Sequence, residues 1–404
     1  MSSLLSVGPR TETALGQRPH WANSDLFPAD LLVIQPTPFC NIDCKYCYLS
    51  NRTDRSRMSM QTVLAVARFL RDVPVARNPL SVVWHAGEPL TAPISFYEGA
   101  FERMLEASTP LQHNFQTNAT LITDAWCGLI RKWSVQVGVS IDGPKFIHDA
   151  HRVDRAGSGT FDRVMRGINK LREHGIPFSV LAVVTAASVN APDEIWHFFK
   201  SLGTSRIALN IEESEGAHKS SSLGGTQTEA FKRFLSRLAE LQFADPSMSV
   251  RELDNMRRHL SCRVGAQVHR SDNRPGAIIN IDINGNITTF SPELLGVEHA
   301  RYGKFVWGNV HQNCWTDLLA NPGFRAAHED IARGVEQCRQ TCPYFLLCGG
   351  GSPSNKLFEH ESFSVADTQY CRFQIQSVAD VVMEKMEAEL ELKGTGSYLP
   401  DQAI

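Results

Sequence analysis

Apolar positions along this chain follow two alternating periods. Short extended or alternating runs at residues 31–37, 80–86, 114–119, 135–141, 177–185 and 206–211 predict strands. Helical periods at 60–73, 94–108, 124–133, 161–174, 194–202 and 226–243 predict helices between and after them. Thr123 and Thr160 stand where the third and fourth helices need an N-cap, and Gly175 and Gly203 follow the fourth and fifth. Six strand–helix units in succession predict a parallel sheet with right-handed crossovers. A partial barrel, with active groups at the strands' C-terminal ends, satisfies this pattern. A doubly wound open sheet fits the periodicity equally well.

The pattern changes after about residue 250. Segments 277–283 and 286–290 flank Asn284-Gly285, which predicts a hairpin with a type I′ turn. Cysteine-rich loops then lead to an amphipathic helix near 374–392, and the polar, Ser- and Gly-rich stretch 212–225 reads as a long loop. The expected organisation is a leader at 1–25, a partial barrel at 26–245 and a second domain at 246–404.

The 404 residues are 42% hydrophobic and 21% charged, which excludes disordered and fibrous classes. The net charge of -3 gives no reason to expect a nucleic-acid partner. No run approaches about 18 consecutive apolar residues, so no membrane span is expected. The N-terminus lacks a basic segment followed by an apolar one, so the expected location is cytoplasmic. Ten cysteines are too few for a disulfide scaffold, and most are clustered, which favours metal binding.

Cys40, Cys44 and Cys47 lie just after the first predicted strand. Three thiolates can hold a cubane [4Fe–4S] cluster with one iron left open; a zinc site with a distant fourth ligand, or buried free cysteines, are the alternatives on spacing alone. The C-x3-C-x2-C motif, with Tyr46 before its last cysteine, resembles that of the radical S-adenosylmethionine (SAM) enzymes. The resemblance runs on through Ala86-Gly87-Glu88-Pro89 after the second strand, Gln116-Thr117-Asn118 at the third, Ser140-Ile141-Asp142-Gly143 and Arg152 at and after the fourth, and Val183-Val184-Thr185 at the fifth. His85-Ala86 replaces the usual small pair.

The resemblance implies a partial (β/α)6 TIM-like radical SAM barrel, an α/β fold. It also implies roles at the strand ends. Glu88 and its neighbours would grip the methionine amino group. Asn118, Ser140, Asp142 and Arg152 would hold the ribose and carboxylate of SAM, and Val184 and Thr185 would line the adenine. One electron from the cluster would cleave SAM to methionine and a 5′-deoxyadenosyl radical.

Cys338, Cys342, Cys348 and Cys371 supply four further thiolates. Zinc satisfies the four-ligand rule. Their order instead resembles the SPASM domain of peptide-modifying radical SAM enzymes, which implies an auxiliary [4Fe–4S] cluster. Gly349-Gly350-Gly351 would let the backbone approach that cluster. A full SPASM domain carries cysteines for another cluster, but here Phe290 and Ser352 stand in such positions, so one auxiliary cluster with an electron-transfer role is expected. Cys262 and Cys314 cannot close a second site alone, and Cys127 falls in a helical pattern as a core residue.

Asn284-Gly285-Asn286, the stretch from Phe290 to Leu295, Cys348 to Gly351 and Asn355-Lys356-Leu357-Phe358 together look most like the cyclophane-forming maturases of ribosomally made peptides. That resemblance implies a precursor-peptide substrate, an external electron donor of flavodoxin or ferredoxin type, and carbon–carbon cross-linking. Sulfatase-maturing or thioether-forming radical SAM chemistry, and a non-enzymatic zinc or iron–sulfur protein, stand as alternatives. Cross-linking to an aromatic ring needs a base, for which Glu212, Glu213 and Glu293 are candidates. No appended leader-binding domain is expected, so the peptide would add to a sheet edge or be presented by another protein.

Overall fold

The computed structural model describes residues 27–261, 268 and 270–395. The expected leader at 1–25 and Cys262 lie outside the described residues. Among the described residues, ten strands join in a single sheet. They are β1 (Leu31–Ile34), β2 (Leu80–Trp84), β3 (Leu111–Thr117), β4 (Gln136–Ser140), β5 (Phe178–Val184), β6 (Arg206–Ile211), β7 (Ser249–Val250), β8 (Ile278–Ile281), β9 (Asn286–Thr289) and β10 (Gly308–Asn309).

From β1 to β7 the spatial order follows the chain order, and every pairing is parallel. A doubly wound sheet reverses its order at a switch point. None occurs here, so the partial barrel is the fold. On the other side of β1, β8 pairs in parallel and then turns back into β9. The hairpin of the second segment therefore extends the barrel's own sheet.

The pairing register sorts side chains by face. Leu32, Val82, Phe115, Val137, Val180 and Ile207 point to one side and are fully or almost fully buried beneath helices. The opposite face carries Gln116, Ser140, Asn210, Asn280 and other polar residues. Val33, Val83, Leu181 and Val183 share that face, so it mixes polar and aliphatic positions. Helix Ile94–Met104 locks β2 through an aromatic cluster, in which the Trp84 ring lies 5.3 Å from Tyr97, 5.9 Å from Phe101 and 6.1 Å from Phe96, mostly edge to face.

Two local expectations are corrected. Thr123 caps its helix, accepting from Trp126 N, but Thr160 does not cap the next one. Its hydroxyl donates to Arg152 O at 2.8 Å, and Asp149 accepts from Phe161 N instead, because a carboxylate is the stronger acceptor there. The hairpin turn is not type I′, since Gly285 has positive φ and Asn284 does not. Asp282 Oδ1 accepts from the backbone N–H of both Asn284 and Asn286, which favours a longer turn with glycine in the left-handed position. The predicted last helix begins as a π-helical stretch at Cys371–Ser377 and continues at Val378–Thr395.

Replacing Trp84, which is 0% exposed, with alanine removes the centre of the aromatic cluster. The expected loss is about 3–5 kcal/mol of unfolding free energy. Anaerobic urea titration measures it, and a loss below about 1 kcal/mol would contradict this packing account.

Candidate active site

Parallel strands bring their C-terminal ends to one edge of the sheet. The loop after β1 carries Cys40, Cys44 and Cys47, and its neighbours fix its path. Gln35 Nε2 donates to Ala86 O at 2.7 Å, and Glu88 N donates to Phe39 O at 2.8 Å. Gly87, at φ +146°, has no room for a side chain, since a Cβ there would lie 2.1 Å from Thr37 O. Arg155 Nη2 donates to Cys40 O at 2.7 Å, and Arg52 Nη1 donates to Cys44 O at 3.1 Å.

None of these three cysteines forms a disulfide. Burial pushes the Cys44 thiol up to about 11 and also raises Cys40 and Cys47; neighbouring thiols add to the rise at Cys40 and Cys44. Grouped thiols of this kind ionise only when a cation shares their charge, which is the environment an iron–sulfur cluster provides. The donor set therefore fits one. Two side chains approach the sulfurs: Asn118 Nδ2 is 3.9 Å from Cys40 Sγ, and Arg152 Nη1 is 3.9 Å from Cys44 Sγ.

Glu88 is 2% exposed. Its carboxylate accepts from Thr117 Oγ1 at 2.6 Å, Asn118 N at 2.8 Å and Leu90 N at 3.1 Å. Burial raises its pKa to about 7 against these bonds, and among the described residues no protein cation offsets it. Acceptor capacity remains for one more donor. Asp142 has its cation built in. Arg152 Nε lies 3.0 Å from Asp142 Oδ1, Val183 N donates to the same oxygen at 3.0 Å, and Tyr46 OH donates to Oδ2. Burial would raise this carboxyl, but Arg152 holds it below the usual range.

Several predicted cofactor contacts thus have protein partners as well. Arg152 spends Nε and Nη2 on Asp142, leaving Nη1 toward the cysteine loop. Asn118 ties to Asn41 at 2.9 Å, and Ser140 accepts from Gln116 at 2.9 Å. Val184 and Thr185 are buried at the end of β5, while Pro89 opens a short turn that Glu88 caps.

The candidate bases separate. Glu212 is tied within its own loop by His218 Nε2 at 3.1 Å and Ser222 N at 2.8 Å. Glu213 and Glu293 line a cavity of about 450 Å³ together with Glu215, Arg270, Asn355 and Cys348. Asn355 Nδ2 donates to Glu213 at 2.7 Å and to Glu215 at 3.0 Å. Burial raises Glu213 to about 7 and lifts Glu215 and Glu293 above their usual range. Glu293 also lines a second cavity of about 330 Å³ beside Tyr48, so it alone of the three carboxylates faces both spaces. Among the described residues, the buried Tyr48 hydroxyl, one residue after Cys47, has no hydrogen-bond partner.

Cys338, Cys342, Cys348 and Cys371 converge from separate segments. Each of Cys338, Cys342 and Cys371 lies within electrostatic reach of Cys348, and burial raises all three. Gly351 N donates to Cys348 Sγ at 3.2 Å, on a glycine turn whose three members all have positive φ. Four free thiols with backbone N–H support fit a cluster. Cys314 is exposed and Cys127 is buried in a helix, apart from both sets.

Glu215, Tyr48, Asn355 and Lys356 were not singled out as individual site residues in the sequence. The two-residue spacing of Glu213 and Glu215 in a loop was a usable signal. Tyr48 gave none, because its significance lies in an orphaned hydroxyl.

Residues 34–186 match the Radical SAM superfamily. An uncharacterized protein of Synechocystis sp., sll1766, is 40% identical over 374 residues, which is 90% of this chain and 94% of its own. The serine-type anaerobic sulfatase-maturating enzyme of Bacteroides thetaiotaomicron is 31% identical over 342 residues, 78% of this chain and 80% of its own. Among solved structures, native anSMEcpe with bound AdoMet and Cp18Cys peptide has a TM-score of 0.70 at 20% identity, covering 90% of this chain and 99% of that one. Streptococcus suis SuiB bound to precursor peptide SuiA has a TM-score of 0.63 at 19% identity, covering 86% and 76%. These two likenesses concern the fold. The matched segment spans the cysteine loop and the first five strand ends, and the sulfatase-maturating relative aligns along most of both chains. The chain therefore belongs to the radical SAM superfamily, as an oxidoreductase that works with S-adenosylmethionine and [4Fe–4S] chemistry.

Proposed function

We propose that this enzyme modifies a ribosomally made precursor peptide by joining an aromatic ring carbon to an aliphatic side-chain carbon. When bound, SAM and the reduced cluster supply a 5′-deoxyadenosyl radical that abstracts a hydrogen atom. In this reading Cys40, Cys44 and Cys47 hold that cluster. Glu88 accepts an N–H from the methionyl amino group, and Nη1 of Arg152 faces the methionyl carboxylate. Asn118 and Ser140 border the ribose, Val184 and Thr185 the adenine. Cys338, Cys342, Cys348 and Cys371 hold the single auxiliary cluster. An external flavodoxin- or ferredoxin-type protein supplies electrons.

Glu293 is the proposed base. It takes the proton that the ring loses after attack, while the electron lost with that proton would pass to the auxiliary cluster that the four cysteines would hold; its raised pKa makes it a better acceptor near neutral pH. Tyr48, with its unpartnered hydroxyl on the same cavity wall, is a candidate substrate contact. That SuiB binds its precursor peptide SuiA, and anSMEcpe the Cp18Cys peptide, on a similar fold supports a peptide substrate here.

The observation that carries cross-linking is what fills the missing-ligand positions. Phe290 is fully buried and stacks on Phe324 at 6.0 Å, and the Ser352 hydroxyl is 3.0 Å from that of Ser354. Neither position offers a thiolate for another cluster. Formylglycine formation is the second reading, favoured by the 31% identity to a serine-type sulfatase-maturating enzyme. Both reactions remove two hydrogens when a serine is the formylglycine precursor, so mass alone does not separate them. Co-expression with a candidate precursor peptide, then tandem mass spectrometry and hydrazide labelling, does. The proposal predicts a loss of about 2 Da, suppressed backbone fragmentation between two residues and no aldehyde. A hydrazide-reactive product would overturn it.

Three variants test the assigned roles. Changing Cys40, Cys44 and Cys47 together to alanine is expected to abolish 5′-deoxyadenosine production while about four irons per chain remain; surviving production would refute the cysteine assignment. Glu88→Gln is expected to weaken SAM binding about 10- to 100-fold by calorimetry, the value of a charge-assisted hydrogen bond. An unchanged Kd would remove Glu88 from the site. In Glu293→Gln, SAM cleavage is expected to persist while cross-linked product falls at least about 100-fold. Equal losses in both, or neither, would reject Glu293 as the base.

A further inference from the structure

Lys356 lies on the helix Pro353–His360, and its side chain is only 2% exposed. Its Nζ is 3.4 Å from Cys338 Sγ. Among the described residues no carboxylate pairs with it, although the chain has 43 acidic residues. Two glycines make its position possible. A Cβ at Gly334 would sit 3.1 Å from Nζ, and one at Gly351 would sit 3.3 Å from Cε. Cys342 and Cys371 are also within electrostatic reach of this ammonium.

An isolated ammonium in a protein interior carries a large desolvation penalty unless an anion shares the space. Neutral thiols do not meet that need. A [4Fe–4S] cluster on four thiolates does, because it is a net anion in both redox states and gains one more negative charge when reduced. A fixed positive charge beside it stabilises the reduced state more than the oxidised one. The N–H donated to Cys338 Sγ acts in the same direction.

We propose that Lys356 is a potential-setting residue of the four-cysteine site: its buried ammonium compensates the bound cluster and holds its reduction potential up. It is a positioning and tuning residue and touches no substrate in this account. The inference rests on reading Cys338, Cys342, Cys348 and Cys371 as iron–sulfur ligands.

The test uses the full chain with Cys40, Cys44 and Cys47 changed to alanine, so that only the auxiliary cluster contributes. An electron paramagnetic resonance-monitored redox titration of this parent is compared with Lys356→Met, which removes the charge, and Lys356→Arg, which keeps it. The expected result is a more negative midpoint for Lys356→Met and one near the parent's for Lys356→Arg, with iron content unchanged in both. An unchanged midpoint in an iron-replete Lys356→Met variant would overturn the proposal. Should Lys356→Met fail to retain iron, retention becomes the readout, with Lys356→Gln as a second neutral variant. Iron held by the arginine variant but by neither neutral one supports the charge role; iron lost from the arginine variant as well assigns Lys356 to packing and overturns it. A parent that binds no iron would refute the four-cysteine reading and the inference with it, an outcome distinct from an unshifted potential.

Discussion

Charge compensation is the constraint on which this structure turns. At the strand ends the fold sets three thiols by the Glu88 carboxyl, and among the described residues no protein cation pairs with Glu88. Burial alone makes each of these groups reluctant to ionise. In the proposed reading, a metal cluster and its bound ligand would supply the positive charge that the protein withholds. The same constraint acts in reverse at the second cysteine set, where among the described residues no carboxylate pairs with the buried cation Lys356. The two halves of the chain thus carry complementary deficits, each of which an iron–sulfur cluster can meet.

Elsewhere the protein supplies its own counter-charges, and this contrast separates scaffold from site. Asp142, Arg152 and Tyr46 satisfy one another and tie the cysteine loop to the ends of β4 and β5. Gly87 lets the next loop close against Thr37, and Glu88 N secures Phe39. The cysteine loop is therefore held before any ligand arrives, which lowers the ordering cost of binding. Beneath it, the aromatic cluster around Trp84 fixes the strand from which Glu88 emerges.

Much of this was legible in the sequence, because strand–helix alternation and cysteine spacing are local signals. The six barrel strands fall at their expected places, and parallel pairing carries Cys40, Glu88, Asn118, Asp142 and Thr185 to one edge. Side-chain partners were less legible, because they are set by contacts distant in sequence. Glu212 and Glu213 are neighbours in a loop, yet one is tied by His218 and Ser222 while the other meets Asn355, 142 residues away. Thr160 carried a helix-cap signal but bonds to Arg152 O, eight residues back. The extension of the barrel sheet by β8 and β9 was likewise a long-range pairing that no local pattern announces.

The central claim is that one cysteine set leaves an iron open for SAM while the other closes its cluster completely. Mössbauer spectroscopy of the anaerobically reconstituted chain, with isotope-enriched iron, tests this directly. The account predicts two [4Fe–4S] clusters, about eight irons per chain, with SAM shifting the signal of a single iron in one cluster and leaving the other cluster unchanged. A spectrum indifferent to SAM, or one in which both clusters respond, would contradict it.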